Sequence, residues 1–409
     1  MLYIESFVHR DELSEIVKRW ILDEPRPGDV LQLKRIVNFN SYITRIWGDW
    51  LMHRLLAGLG TVPSHSRPLH HKGDLKDLVT ARPLEASERI DEMIERYRRF
   101  PEDYYRETPI DGRIYLAGAD YEPRFLGTTR FKRYRRIAEK GSRRIADFVF
   151  HRIQLAAEQL SDERAARLGI PREQLITPQA EMEEEFAHAE RRIIKAIRNR
   201  TIHDELPLLP MPDVVGMKLI GGEPEIDRII GIIDRSEDLG LIERERHDGN
   251  YKATNLRIAC RLPREQLLAA PPPPHFRRVL AHRGLPAETI ERDYRDLLET
   301  AEDTVHAEVI VSTFAEFLES EIGRCMHEQR LLEQRDTHQY NGPLTMNIRA
   351  LMHYILILCR SPGSAEIAEI PIKMWVRYLP DAFEQQQMML FVDRDLYLDA
   401  VEPPAIEVG

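Results

Sequence analysis

Two acidic residues interrupt segments that otherwise have the composition of apolar β-strands. Glu308 lies within "VHAEVIVST" (305–313), and Asp213 begins "DVVGMKLI" (213–220). Acids are depleted inside strands, so an edge or solvent-facing position is the ordinary explanation for each. Two acids on separate central strands can also hold Mg²⁺ against the phosphates of a substrate. The two residues alone leave both interpretations open.

The residues around Glu308 follow the alternation of a strand. Successive side chains of a strand point to opposite faces of the sheet. Glu308, Ile310 and Ser312 are therefore expected on one face, and Val309 and Val311 on the other. This pattern predicts that the carboxylate and the valines face opposite sides of the sheet.

A basic segment precedes these strands. "RFKRYRRIAEKGSRR" (130–144) holds eight basic residues and one acid, although the whole chain has a formal net charge of −10. The negative balance argues against a protein that coats nucleic acid without specificity. Clustered cations repel one another, and an anionic partner such as a phosphate-rich ligand would relieve that repulsion. A solvated helix face is the alternative explanation.

Length and composition predict an ordinary water-soluble protein of two or three domains. The chain has 409 residues, of which 43% are hydrophobic and 31% charged. We find no apolar run long enough for a membrane span, and the first residues lack the layout of a secretory signal. Cys260, Cys325 and Cys359 are far apart and form no CxxC motif, so neither a disulfide framework nor a zinc site is indicated. We expect a cytoplasmic location.

The first 125 residues are predicted to be mostly helical, because apolar residues recur there at helical spacing. Within them, "SHSRPLHHKGD" (64–74) is rich in histidine, and we predict a loop rather than a metal site since the histidines lack regular ligand spacing. A second helical region is predicted over 130–205, including a helix at 181–200.

The pattern changes after Pro212 to strands and helices that predict a small mixed sheet. The strand 213–220 precedes an amphipathic helix (223–240), which we expect to stop at Gly240. A hairpin follows, with its turn at "DGN" (248–250), then the proline-rich "PREQLLAAPPPPHF" (263–276). A helix over 286–301, the strand with Glu308 and a helix over 314–335 complete the series.

These elements predict an α+β protein with a small mixed β-sheet flanked by helices. We expect mainly helical N- and C-terminal regions on either side of it. The predicted division is 1–125 (helical), 126–335 (the sheet domain, with a helical insertion near 145–205 and a proline-rich excursion near 263–300) and 336–409 (helical).

Four short motifs, in order, resemble the synthetase domain of the RelA/SpoT alarmone enzymes, which has a nucleotidyltransferase-like fold. The D-x-x-G-x-R pattern of that family matches Asp213, Gly216 and Lys218, and its N-G-Y-x-S-x-H pattern resembles "GNYKATN" with Tyr251 and Asn255. The remaining two motifs are E-V-Q-I-R-T, here Glu308 to Thr313, and A-E-x-G-x-x-x-H, here Glu321, Gly323 and His327.

The chain also departs from the family at several of these positions. Lysine replaces arginine at 218 and asparagine replaces histidine at 255, while Ile310 and Ser312 stand where glutamine and arginine are usual. Arginine can grip phosphate in a bidentate manner and lysine cannot, so the change at 218 is not conservative.

The family also places a basic motif upstream of the aspartate. Arg130, Lys132 and Lys140 fit its pattern, but they precede Asp213 by about 70–80 residues, farther than usual. Lys195 and Arg198 fit the spacing better and the pattern less well. We favour the first group, with the helices of 145–205 as an insertion.

The resemblance implies transfer of pyrophosphate from ATP to the 3′-hydroxyl of a guanine nucleotide, or of another nucleotide acceptor, with Mg²⁺ as cofactor. It implies that Asp213 and Glu308 hold the metal and that Glu308 is the general base. The implied nucleotide-binding residues are Arg130, Lys132, Lys140, Lys218, Tyr251 (stacked on a base), Asn255, Glu321 and His327. Alarmone hydrolysis is not expected, because the His203–Asp204 pair lacks the partners that a hydrolase site needs.

Two other functions remain open. The fold could serve a nucleotide-binding regulatory protein without catalytic activity, since a fold does not determine function. The basic segment 130–144 could also be the contact surface of an RNA- or protein-binding module.

Overall fold

A computed structural model describes residues 2–119, 123–201, 208–336, 342–363 and 366–390 of the chain. The predicted His203–Asp204 pair lies outside the described residues. The strands are β1 (Leu2–Ile4), β2 (His65–His71), β3 (Pro109–Ala117), β4 (Arg124–Phe131), β5 (Leu209–Met211), β6 (Val215–Ile220), β7 (Leu239–Asp248), β8 (Lys252–Arg261) and β9 (Thr304–Ser312).

Helices surround these strands in an α+β arrangement, as predicted. They are α1 (Arg10–Ile21), α2 (Asp29–Gly58), α3 (Lys72–Ala81), α4 (Glu88–Arg99), α5 (Tyr134–Leu168), α6 (Gln179–Arg198), α7 (Glu223–Asp234), α8 (Arg264–Ala269), α9 (Pro274–His282), α10 (Ile290–Glu299), α11 (Phe314–Ile322), α12 (His327–Asp336), α13 (Pro343–Leu358) and α14 (Pro380–Met388). None of the described helices combines the length and hydropathy that a membrane crossing requires.

Seven strands form one mixed sheet in the order β2-β3-β4-β6-β9-β8-β7. The central pair, β6 and β9, is parallel, and every other pair in this sheet is antiparallel. β1 and β5 form a separate short parallel pair. The parallel centre follows from the crossover through α7, the β7–β8 hairpin and α8–α10, because parallel strands require a long connection.

The two faces of the sheet centre differ as the alternation predicted. Met217, Leu219, Val309 and Val311 are buried in an apolar core that also takes up α2, α7 and α10. Glu308 and its neighbours occupy the opposite face. A second apolar cluster lies between α3, α4, α11 and strands β2–β4, and a third lies among α1, α5, α6 and α13.

Two of the predicted elements are absent. The histidine-rich segment 64–74 is not a loop: it forms β2 and the start of α3, and β2 is the edge strand of the sheet. Pro68 is compatible with that place because an edge strand needs fewer backbone donors. The helix predicted over 314–335 is broken between α11 and α12, where Gly323 is extended (φ −107°, ψ −159°).

Other boundaries also differ from the sequence analysis. The helix expected to stop at Gly240 ends at Asp234, because β7 begins at Leu239 and pairs with β8 from that residue. The boundary at 125/126 falls inside β4, and the mainly helical N-terminal region supplies β2 and β3 to the same sheet. The proline-rich excursion forms α8 and α9, with Pro274 in the first turn of α9.

Candidate functional site

A cavity of about 570 Å³ opens on the polar face of the sheet centre. Its walls come from β4, β6, the β7–β8 hairpin, β9 and α12. The residues that line it are Arg130, Lys218, Arg246, His247, Asp248, Gly249, Tyr251, Asn255, Glu308, Ile310, His327 and Arg330. Six of these are predicted site residues: Arg130, Lys218, Tyr251, Asn255, Glu308 and His327. The sheet therefore gathers residues that are almost 200 positions apart in the sequence.

The register of the strands explains why there is space beside Glu308. Arg130 on β4 is aligned with Gly216 on β6, and Gly216 is aligned with Glu308 on β9. A Cβ atom added to Gly216 would meet nothing within 4 Å. Because Gly216 has no side chain, a gap remains between Arg130 on β4 and Glu308 on β9.

Asp213 lies just before β6 rather than inside it, and two lysines hold it. The Nζ atoms of Lys132 and Lys140 both donate to its Oδ2. Burial acts to raise the pKa of Asp213, but the two positive charges outweigh it and lower the pKa to about 2. Its other oxygen, Oδ1, is buried without a hydrogen-bond partner among the described residues. We call Asp213 with these two lysines the aspartate cluster.

Glu308 has a different electrostatic environment. Its Oε1 accepts a hydrogen bond of 3.4 Å from Asn255 Nδ2. Burial, followed by the negative charge of Asp213, raises the pKa of Glu308, and Lys132 and Lys140 oppose that rise. The two carboxylates are therefore near enough to influence each other, and the same lysines act on both.

Glu321 lies behind the cavity wall and not in it. Its side chain is fully buried, and its Oε1 pairs with Arg130 Nη2 at 2.9 Å and Lys218 Nζ at 3.0 Å. Its Oε2 faces Lys72 Nζ at 3.5 Å. Burial would raise the pKa of Glu321, but Arg130, Lys72 and Lys218 hold it well below its usual range. Glu321 thus positions two cations of the cavity, and we call these four residues the glutamate cluster.

The two other predicted binding residues at this end also have shifted pKa values. Burial lowers the pKa of Lys218 to about 8, against the opposing effect of Glu321. Burial and the charges of Lys72 and Lys218 lower the pKa of His327 well below its usual 6.5, so its imidazole is neutral at neutral pH. Neutral histidine offers one donor and one acceptor to a ligand.

Tyr251 lies at the tip of the β7–β8 hairpin and lines the cavity as predicted. The guanidinium carbon of Arg330 lies 4.5 Å from the centre of its ring. The face of the phenol that a base could stack on is therefore in contact with an arginine of α12.

The two candidate basic groups have different surroundings. Arg130 lines the cavity and contacts Glu321, whereas Lys132 and Lys140 do not line it but contact Asp213. Lys195 and Arg198 are exposed near the end of α6 and do not line the cavity. The geometry therefore favours the group that matches the motif over the group that matches the spacing.

Several residues of the site escaped the sequence analysis. Arg246, His247 and Asp248 come from β7, next to the turn that carries Tyr251, and proximity to that turn was their only signal. Arg330 lies three residues after His327, a spacing that places both on one face of α12. Lys72 had no signal, because it lies almost 250 residues before its partner Glu321 in the sequence.

The donor atoms near Asp213 and Glu308 are compatible with Mg²⁺. Asp213 Oδ1 is a buried oxygen without a partner among the described residues, and a second carboxylate is close by. Within those residues no group of three or more His, Cys, Asp or Glu side chains converges as a metal site. Two protein carboxylates, with water and substrate phosphate oxygens, are a common ligand set for Mg²⁺.

Comparison of the chain with models of known protein families and with curated proteins gives no match. The functional assignment therefore depends on the motifs and on the geometry of the site.

Proposed function

We propose that the protein is a divergent RelA/SpoT-like nucleotide pyrophosphokinase, which uses Mg²⁺ to transfer pyrophosphate from ATP to the 3′-hydroxyl of a guanine nucleotide. The observation that carries the proposal is one cavity of about 570 Å³ that joins Glu308 to several cations and to the ring of Tyr251. Its volume is within the range of small-molecule sites. The residues of the aspartate cluster do not line this cavity, but their charges act on Glu308, which does.

In the proposed reaction the 3′-oxygen of the acceptor attacks the β-phosphorus of ATP. The bond from that phosphorus to the α–β bridging oxygen breaks, AMP leaves, and the hydroxyl proton passes to Glu308. A general base works best when its pKa approaches the working pH. The raised pKa of Glu308, caused by burial and by Asp213, is a change in that direction.

The cations of the site would offset the negative charge of the transferred group. Arg130 and Lys218 line the cavity and are fixed by Glu321, so they need little reorganisation when substrate binds. Lys132 and Lys140 would bind the donor phosphates near Asp213. Asp213 Oδ1 and Glu308 would hold Mg²⁺, which would supply further positive charge to the phosphates.

The direct test is incubation of the protein with labelled ATP, Mg²⁺ and GDP or GTP. We expect a new phosphorylated guanine nucleotide together with AMP. Glu308→Gln should reduce the rate by about 10²–10⁴-fold, the usual contribution of a general base. Glu265→Gln, on an exposed position of α8, is the matched control and should retain full activity.

A nucleotide-binding regulatory protein is the second candidate. Both lysines of the aspartate cluster already occupy Asp213 Oδ2, and apolar Ile310 lines the cavity where the family has glutamine. Tight nucleotide binding without any new product would support this candidate against the transferase.

RNA binding by the segment 130–144 has less support. Of its eight basic residues only Arg135 is exposed, while Arg130, Lys132 and Lys140 pair with Glu321 or Asp213. A salt-sensitive RNA complex that is lost when charges in this segment are reversed would favour it nonetheless.

A further inference from the structure

Tyr251 and Arg330 form a contact that the proposed reaction does not use. The two side chains come from elements far apart in sequence, the β7–β8 hairpin and α12, and both line the cavity. The guanidinium carbon lies 4.5 Å from the ring centre. The His247 ring approaches the same tyrosine, with 5.8 Å between ring centres. The cavity thus contains an aromatic ring with a flat cation beside it.

The distance between the Arg330 guanidinium and the Tyr251 ring limits which groups can lie between them. A flat group between two other flat groups needs about 7 Å, which is two contact distances of ~3.5 Å. The 4.5 Å between Arg330 and Tyr251 is about 2.5 Å too short for that. Arg330 therefore occupies the place in which a base would stack, and a small displacement of its side chain would make room.

The backbone near Arg330 is held by buried ion pairs, whereas the Nε atom of its side chain makes no hydrogen bond among the described residues. Glu328, in the first turn of α12, pairs with Lys72 at 3.0 Å and Lys76 at 3.6 Å, and all three are buried. Arg330 Nε is buried without a hydrogen-bond partner among the described residues. The helix thus fixes the start of a long side chain while its guanidinium can move by rotation about several bonds.

We propose that Arg330 is a second base-binding residue of this cavity, which forms a clamp with Tyr251: a purine base would enter between the phenol ring and the guanidinium plane. The inference rests on the proposed function and deepens it, because it adds Arg330 to the site of the acceptor base. Binding exchanges one cation–π contact for two stacking contacts, one on each face of the base. The two fused rings of a purine overlap more of the phenol ring and of the guanidinium plane than the single ring of a pyrimidine does. Glu308 is near enough to affect the pKa of Tyr251, so the clamped nucleotide would share the cavity with the general base.

Titration calorimetry with GDP, CDP and inorganic pyrophosphate tests this clamp. For the wild-type protein we expect GDP to bind more tightly than CDP. Arg330→Ala should weaken GDP binding by about tenfold, as expected when one stacking partner of a base is lost. It should change pyrophosphate binding by less than about twofold, because the cations proposed to bind phosphate do not include Arg330. Arg330→Lys keeps the charge without the flat group and should resemble Arg330→Ala.

Arg246→Ala is the matched control, since Arg246 lines the same cavity but does not lie over Tyr251. We expect this variant to weaken the binding of GDP and the binding of pyrophosphate to the same extent. Thermal unfolding of each variant shows that it is folded. The clamp is refuted if Arg330→Ala leaves GDP affinity unchanged, or if it weakens pyrophosphate as much as GDP. Either result refutes only the clamp and not the proposal of pyrophosphate transfer. A wild-type protein that binds neither GDP nor ATP would refute both proposals.

Discussion

The aspartate cluster and the glutamate cluster each place one acid among cations, yet they differ in what remains free. Asp213 has both lysines on one oxygen and a second oxygen without a partner among the described residues; its side chain is 18% exposed. Glu321 is 0% exposed; its Oε2 also makes no hydrogen bond among the described residues, but it faces Lys72 Nζ at 3.5 Å, and its Oε1 contacts two cations. The difference is therefore that Asp213 has one oxygen that faces no cation, whereas both oxygens of Glu321 face one. We infer that this oxygen, and not the number of nearby cations, makes Asp213 the acid that can accept a ligand.

Asp213→Asn should show the largest effect on activity. The substitution removes the negative charge that pairs with Lys132 and Lys140 and one of the two carboxylates proposed to bind Mg²⁺. The rate of pyrophosphate transfer should therefore fall by about 10²-fold or more. Initial rates with labelled ATP measure this loss. Because Lys132 and Lys140 lose their shared partner, circular dichroism is needed to show that the variant is folded. Near-normal transfer by this variant would show that Asp213 does not bind a ligand needed for the reaction, and that the two clusters do not differ in this respect.

Glu321→Ala should show the complementary result, a loss of stability. Three cations would be left around an empty buried site, and breaking a buried pair in this way costs about 3–5 kcal/mol. Urea denaturation followed by circular dichroism measures the change in the free energy of unfolding. Because the folded-state pKa of Glu321 lies below the usual 4.5, its stabilisation is present above that pH and is lost as the pH falls through the folded-state value. A variant as stable as the wild type would show that Glu321 does not position the cavity cations.

The pH dependence of kcat/KM sharpens the comparison further. Glu308 must be ionised to accept a proton, so activity should fall on the acid side below a pKa that is raised from 4.5. Lys218 must be protonated to bind phosphate, so activity should also fall as the pH rises through about 8. Lys218→Arg should move the alkaline limit upward, because arginine stays charged. An unchanged alkaline limit would exclude Lys218 as its source.

The smallest effects are expected away from both clusters. Lys195→Ala and Arg198→Ala change exposed residues of α6 and should alter transfer by less than about twofold, since exposed charges contribute little. Lys140→Ala, which removes a partner of Asp213, is the comparison and should reduce transfer by about tenfold or more. If the α6 variants lose more activity than Lys140→Ala, the second basic group binds the donor phosphates.

The sequence was sufficient for the features that depend on local pattern. Alternation around Glu308 correctly separated the core valines from the carboxylate, and the turn signal at 248–250 correctly predicted the β7–β8 hairpin. The α+β fold followed from the order of such elements. The histidine-rich segment was assigned wrongly because its strand is stabilised by pairing with β3, about 45 residues later, and not by its own composition.

Most of what the sequence missed depends on contacts between distant segments. Nothing near Glu321 shows that it is buried under Arg130, Lys218 and Lys72. The contact between Arg330 and Tyr251 likewise requires α12 to lie against the hairpin tip. Tertiary packing assigns these roles, and the residue types alone do not.

The alignment of Arg130, Gly216 and Glu308 across three strands also has a consequence for the order of folding. Each step of that row joins residues more than 80 positions apart, so no short segment can form the cavity by itself. Such non-local pairing closes large loops and is slow. During synthesis, a chain released before α12 has emerged would lack His327 and Arg330. In refolding experiments, nucleotide affinity should recover with the slowest phase, after most helical circular dichroism has returned.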